Sequence, residues 1–190
     1  MRSPRPTVDL TAQLTRVVED LCARLPEFAH IHPRRLLMCV ARARGSSAAG
    51  VFAKIVPMRF PDGSPMKHAH GGCYALPQIP TPDGDILYII YVYVPRFFAQ
   101  PFARRLLTLV HELYHIAPAF DGTLRKIGQR AHGASRAQFN DNLQPLLDQY
   151  LATHPAADVL AILHEELPAL SRRATLVGRS LPLPKAVRIT

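Results

Sequence analysis

The spacing of apolar positions predicts most of the elements of this chain. Val8, Leu10, Leu14, Val17, Val18, Leu21 and Leu25 recur at steps of three and four, which is the period of one helix face. An amphipathic helix is predicted over residues 7–25, ended by Pro26. Residues 27–34 read as a loop carrying His30 and His32. Strand-like stretches follow at 36–43, 50–60, 73–79 and 86–94, separated by linkers rich in Gly, Ser, Pro and Asp. The last of these runs Ile-Leu-Tyr-Ile-Ile-Tyr-Val-Tyr-Val without a breaker. Such a β-branched and aromatic run predicts a strand buried on both faces, in a small antiparallel or mixed sheet.

Residues 102–117 are apolar on more than one side, between Pro101 and Pro118. They predict a buried helix with proline at its start and stop. Asp121-Gly122 marks a turn. Two further helices are predicted, over 135–154 with a kink at Pro145 and over 156–174. Residues 167–190 hold five basic side chains, no acid, and Pro182 and Pro184, which predicts a partly loose tail. The expected organisation is a frayed stretch over 1–6, one domain over 7–174, and a basic Pro-containing tail over 175–190.

Composition narrows the classes. The chain has 190 residues, 48% of them hydrophobic and 19% charged, enough for one domain with its own core and too apolar for wholesale disorder. The longest apolar run is far shorter than the roughly 20 residues that span a bilayer, so no membrane association is expected. The basic start is not followed by an apolar segment, so no secretory signal is expected. Cys22, Cys39 and Cys73 are widely spaced and form no Cys-x-x-Cys pair, which excludes a four-cysteine zinc site and predicts a reduced, cytoplasmic protein. The net charge is +9, from 19 Arg and 4 Lys against 14 acids. That charge attracts nucleic acid or anionic surfaces without specifying either. Trp is absent, and no aromatic-rich RNA-binding pattern accompanies the charge.

The chemistry is concentrated in His111-Glu112-Leu113-Tyr114-His115. Residues four apart share a helix face, so both imidazoles reach one metal ion. Glu112 beside them accepts a hydrogen bond from metal-bound water and serves as general base. Two imidazoles and a carboxylate on a buried helix need something to pair them, and a zinc ion does so.

A third protein ligand is expected, with water completing the tetrahedron. His132 is the first candidate, beyond a turn at Asp121-Gly122 that can fold the chain back. Asp121, His154, His164 and the His68/His70 pair are the others, although Asp121 before Gly122 reads better as a turn residue. His164-Glu165-Glu166 begins like the motif, lacks the second histidine, and reads as a polar helix face. His30, His32, His68 and His70 lie in loops where solvated histidines are the simpler reading. Arg125 and Arg130 read as solvent-facing, with a substrate-carboxylate clamp as the alternative. Tyr114 is expected to pack beside the helix, and Tyr150 is a candidate oxyanion stabiliser.

Tyr91-Val-Tyr-Val-Pro-Arg-Phe, Leu106-Leu-Thr-Leu-Val-His-Glu-Leu-Tyr-His-Ile and Phe120-Asp-Gly-Thr-Leu-Arg together resemble the zincin-like metallopeptidases of phages and bacteria. Phe28-Ala-His-Ile-His and Lys54-Ile-Val-Pro-Met-Arg-Phe resemble the bacterial branch. The resemblance covers most of residues 20–150. It implies an α+β zincin-like fold: an N-terminal helix, a small mostly antiparallel sheet, the active-site helix beneath it, and C-terminal helices. The family pattern also places a histidine shortly after the Leu-Arg step. Here Leu124-Arg125-Lys126 is followed by Ile127, and His132 is the nearby replacement.

The expectation is therefore a zinc metallopeptidase. His111, His115 and His132 hold Zn2+, and Glu112 activates its water against a peptide bond. The substrate is a peptide or protein, extended along a sheet edge. The rival expectations are a nucleic-acid-associated protein with a structural zinc, and an inactive zincin scaffold suggested by Ile127.

Overall fold

The computed structural model describes residues 4–43, 50–69, 71–126 and 136–189. Its first strand, β1, is Thr7–Asp9, and α1 follows at Leu10–Arg24. The helix predicted from residue 7 thus begins three residues later. The Asp9 carboxylate is the reason: it accepts hydrogen bonds from the backbone N–H of Thr11 at 2.9 Å and of Ala12 at 3.0 Å, which closes the first turn as an N-cap. The extended residues before it pair in parallel with a strand from the far end of the chain, β7 (Thr175–Val177).

The main sheet is built from β2 (Leu36–Arg42), β3 (Ala53–Pro57) and β6 (Tyr88–Val94), in the order β2-β6-β3. β6 is central, parallel to β2 and antiparallel to β3. The sheet is therefore mixed rather than mostly antiparallel. As the apolar run predicted, β6 is buried on both faces. Tyr88, Ile90 and Val92 join the larger core, with Leu14, Val17 and Leu21 of α1. Ile89 and Tyr91 join a smaller cluster with Cys39, Met58 and Ile86. A second sheet is antiparallel, with β5 (Gly72–Ala75) between β4 (Met66–Ala69) and β8 (Val187–Arg188).

Four more helices complete the described chain. α2 is Phe102–Tyr114, α3 is Arg136–Ala152 with Pro145 inside it, α4 is Ala157–His164 and α5 is Leu167–Arg173. The single helix expected over 156–174 is two helices. Glu165 and Glu166 are extended between them, and Pro168, which has no N–H to continue a helix, sits in the first turn of α5. His164-Glu165-Glu166 is therefore a helix end, not a polar helix face.

The C-terminal tail is also more engaged than its composition suggested. Besides β7 and β8, Arg179 bonds across to β2: its carbonyl accepts from Val40 N–H at 2.8 Å. The Tyr91 hydroxyl donates to the Pro182 carbonyl at 3.0 Å. These contacts are main-chain or long-range, and composition does not encode them. None of the described helices is long and apolar enough to cross a membrane.

Candidate metal centre

α2 carries the motif on its last two turns, with His115 at its C-cap. Most of this helix is buried, and His111, Glu112 and His115 are only 4%, 4% and 6% exposed. The four-residue spacing brings the imidazoles together as the helix period requires. Their Nε2 atoms lie 3.1 Å apart. Two nitrogens bound to one tetrahedral zinc at about 2.05 Å would be separated by about 3.3 Å. The pair already sits close to that spacing.

Two residues of α3 hold these rings. The Asn140 side-chain oxygen is 2.7 Å from His111 Nδ1. With Nδ1 as donor, Nε2 carries the lone pair, which is the tautomer a metal ligand needs. Phe139 stacks on His115, with centroids 5.4 Å apart and planes 7° from parallel, and meets His111 edge-on at 4.9 Å. Orientation and an apolar wall thus come from one helix turn.

Glu112 points to the sheet. Its Oε2 accepts the backbone N–H of Ile55 at 2.7 Å. The register explains why that N–H is available. Tyr93 N–H bonds the Phe52 carbonyl and Met58 N–H bonds the Leu87 carbonyl, so antiparallel alternation turns Lys54 and Val56 toward β6. Ala53, Ile55 and Pro57 therefore turn their backbone groups outward. Glu112 is held against the outer edge of β3, one residue from His111.

The sequence profile of a family described as "Putative phage metallopeptidase" matches residues 9–143. No curated protein and no solved structure gives a significant match. The chain belongs to the phage metallopeptidase family. The match runs from the N-cap of α1 into α3, so it includes β3, the whole of α2, Phe139 and Asn140. Membership implies a metal cofactor and a peptide or protein substrate.

Among the described residues of this family member, no group of three or more His, Cys, Asp or Glu side chains is placed to hold a metal. The other candidates among the described residues make different contacts. Asp121 is the turn residue that its neighbour Gly122 suggested. It accepts the Thr123 N–H at 3.0 Å and hydroxyl at 2.7 Å, and the Thr123 hydroxyl, with the backbone N–H, holds its carboxyl below the usual range. Gly122 has φ +86°, and a Cβ there would meet Arg59 Cγ at 2.5 Å. Tyr88, pushed up to about 12 chiefly by burial, pins this turn. It accepts Gly122 N–H at 3.0 Å and donates to the Thr123 carbonyl at 2.8 Å.

His164 stacks on Phe102 at the other end of α2, with centroids 4.1 Å apart. His154 lies just past the C-terminus of α3, and His68 lies exposed on β4 opposite Cys73. His32 meets the edge of Phe120 at 5.2 Å, and His30 is half-buried in its loop. His70, Arg130 and His132 lie outside the described residues.

Arg125 is neither solvated nor free for a substrate. It pairs with Glu27 at 2.9 Å and lies over the Tyr114 ring at 4.1 Å. Tyr114 packs beside the helix as expected, also against Phe139. Tyr150 cannot serve as an oxyanion stabiliser in this arrangement, because its hydroxyl donates to Asp20 at 2.6 Å in the interface with α1. Burial and that carboxylate both raise its pKa. The three cysteines are buried and unbridged.

The contributions missed by sequence reasoning are Asn140, Phe139 and the Ile55 N–H. Asn140 follows His111 by 29 residues and sits on another helix. No local period links them.

Proposed function

We propose that this protein is a zinc-dependent peptidase of zincin-like architecture, with His111, His115 and His132 as metal ligands and Glu112 as general base. The observation that carries it is the pairing on α2. Two Nε2 atoms sit 3.1 Å apart, and the adjacent carboxylate is anchored to a sheet edge. A structural metal site has no use for that carboxylate.

The surroundings support His132 as third ligand. The segment containing it is entered at Arg125, whose N–H bonds the His115 carbonyl at 2.7 Å. It leads into α3, whose Phe139 and Asn140 contact both imidazoles. Both flanks of the segment therefore touch the site.

When bound, zinc would supply a Lewis acid that polarises a peptide carbonyl and acidifies water. The protein does the rest. Glu112 accepts the proton of the attacking water and returns it to the departing amine nitrogen, so atoms and charge balance at hydrolysis. The Ile55 N–H fixes which way the carboxylate faces. Asn140 keeps His111 in the tautomer that presents the Nε2 lone pair.

The test is zinc content together with peptide hydrolysis for wild type, Glu112→Gln and His132→Ala. One zinc per chain is expected in the first two, with hydrolysis lost in Glu112→Gln, and zinc lost in His132→Ala. Full hydrolysis by zinc-loaded Glu112→Gln would end the mechanism, and zinc retained by His132→Ala would end that ligand assignment.

A further inference from the structure

Two adjacent arginines on α2 have different surroundings. Arg105 is buried, and its guanidinium donates to the backbone carbonyls of Phe98, Gln100, Leu163 and Glu165. Four of its five N–H groups are taken up by the fold. Arg104 is exposed, and its guanidinium joins no hydrogen bond or ion pair among the described residues. It lines a cavity of about 380 Å³ that His111 also lines. Phe52, at the entry to β3, and Leu107 supply apolar surface there, and no described acidic residue lines it. The cavity is a slot beside the metal-ligand pair, with a cation at its rim that no described acid opposes.

The distance suits a substrate side chain. Arg104 and His111 are two helical turns apart, about 10 Å along the axis. A peptide running alongside α2 would cover about 3.4 Å per residue, so the stretch between the two backbone positions corresponds to two or three of its residues, and Arg104 and His111 line the same cavity. The apolar stem of a side chain bound there can lie on Phe52 and Leu107 while its charged end meets the guanidinium.

We propose, on the peptidase reading above, that Arg104 selects peptides carrying a carboxylate, from an Asp or Glu side chain or a C-terminus, two or three residues from the scissile bond. The pair is solvent-accessible, so its effect is modest, about two- to fivefold in preference.

Two measurements test this. In the first, zinc-loaded wild type, Arg104→Gln and Arg104→Glu digest a mixture of proteome-derived peptides, with Glu112→Gln as the background control and cleavage sites read by mass spectrometry. Acid enrichment at one position, lost in Arg104→Gln and replaced by Lys or Arg in Arg104→Glu, is expected. Cleavage without acid enrichment, or enrichment that survives Arg104→Gln, overturns the role of Arg104 and leaves the peptidase reading standing. In the second, fluorescein-labelled hexaglutamate and hexaglutamine bind Glu112→Gln protein in an anisotropy titration. Arg172→Gln, which removes one exposed charge elsewhere, controls for net charge. A hexaglutamate preference lowered by Arg104→Gln and not by Arg172→Gln supports the proposal, and equal lowering overturns it. Absence of any cleavage above background would count against the peptidase reading, while the binding arm still decides Arg104.

Discussion

The two edges of the main sheet are treated differently. At the β2 edge, the C-terminal segment closes the strand: Val40 N–H bonds the Arg179 carbonyl at 2.8 Å, and the Arg179 side chain reaches the Met38 carbonyl at 3.3 Å. At the β3 edge, the outward Ile55 N–H goes to the Glu112 carboxylate. An exposed strand edge is a template for pairing with another chain. The fold covers one edge with its C-terminal segment and sets the Glu112 carboxylate against the other. The covering segment also lies beyond the residues matched by the family profile, whereas β3 and α2 lie within them.

The largest expected effect is at the β3 edge. Glu112→Gln should lower peptide hydrolysis at least about a hundredfold with zinc content unchanged, as measured by turnover and metal analysis. Asn140→Ala should come next. Loss of the hydrogen bond to His111 should weaken zinc affinity by about 10- to 100-fold, read by competition with a chelator, with little change in melting temperature of the metal-free protein.

The β2 edge should respond in stability and not in chemistry. A Cβ at Gly178 would lie 2.9 Å from Val40 Cγ2, so Gly178→Val should cost about 1–3 kcal/mol in denaturant unfolding and leave zinc binding intact. A comparable loss of zinc in that variant would mean the two edges are coupled.

The smallest effect is at the N-cap of α1. Asp9→Ala should cost about 1 kcal/mol at neutral pH. The Thr11 hydroxyl, followed by the Ala12 N–H, holds the Asp9 carboxyl below its ordinary 3.8. A depressed carboxylate contributes fully above its unfolded value and loses that contribution as pH falls through the folded one. The difference between wild type and Asp9→Ala should therefore shrink below about pH 4, as followed by urea unfolding across pH.

Much of the scaffold was legible because its signals are local. The 3.6-residue period located α1 and α2, and the unbroken β-branched run located β6. His111 and His115 meet for the same reason. The parts that were not legible depend on distant partners. Thr7–Asp9 is a strand because Thr175–Val177 pairs with it, and Tyr150 is structural because Asp20 faces it. The division of α4 from α5 had a local cue in Pro168, masked by the apolar positions around it.

The sequence by itself determined that the imidazoles of His111 and His115 meet and where the buried strand runs, since both follow from backbone periodicity. Only the tertiary structure decided the rest: that Glu112 faces Ile55, that Asn140 orients His111, that Arg105 is consumed by four carbonyls while Arg104 is not, and that one sheet edge is closed. Most of these rest on contacts between elements separated in the chain. Such contacts form when packing brings two faces together, and no repeat in either segment records its partner.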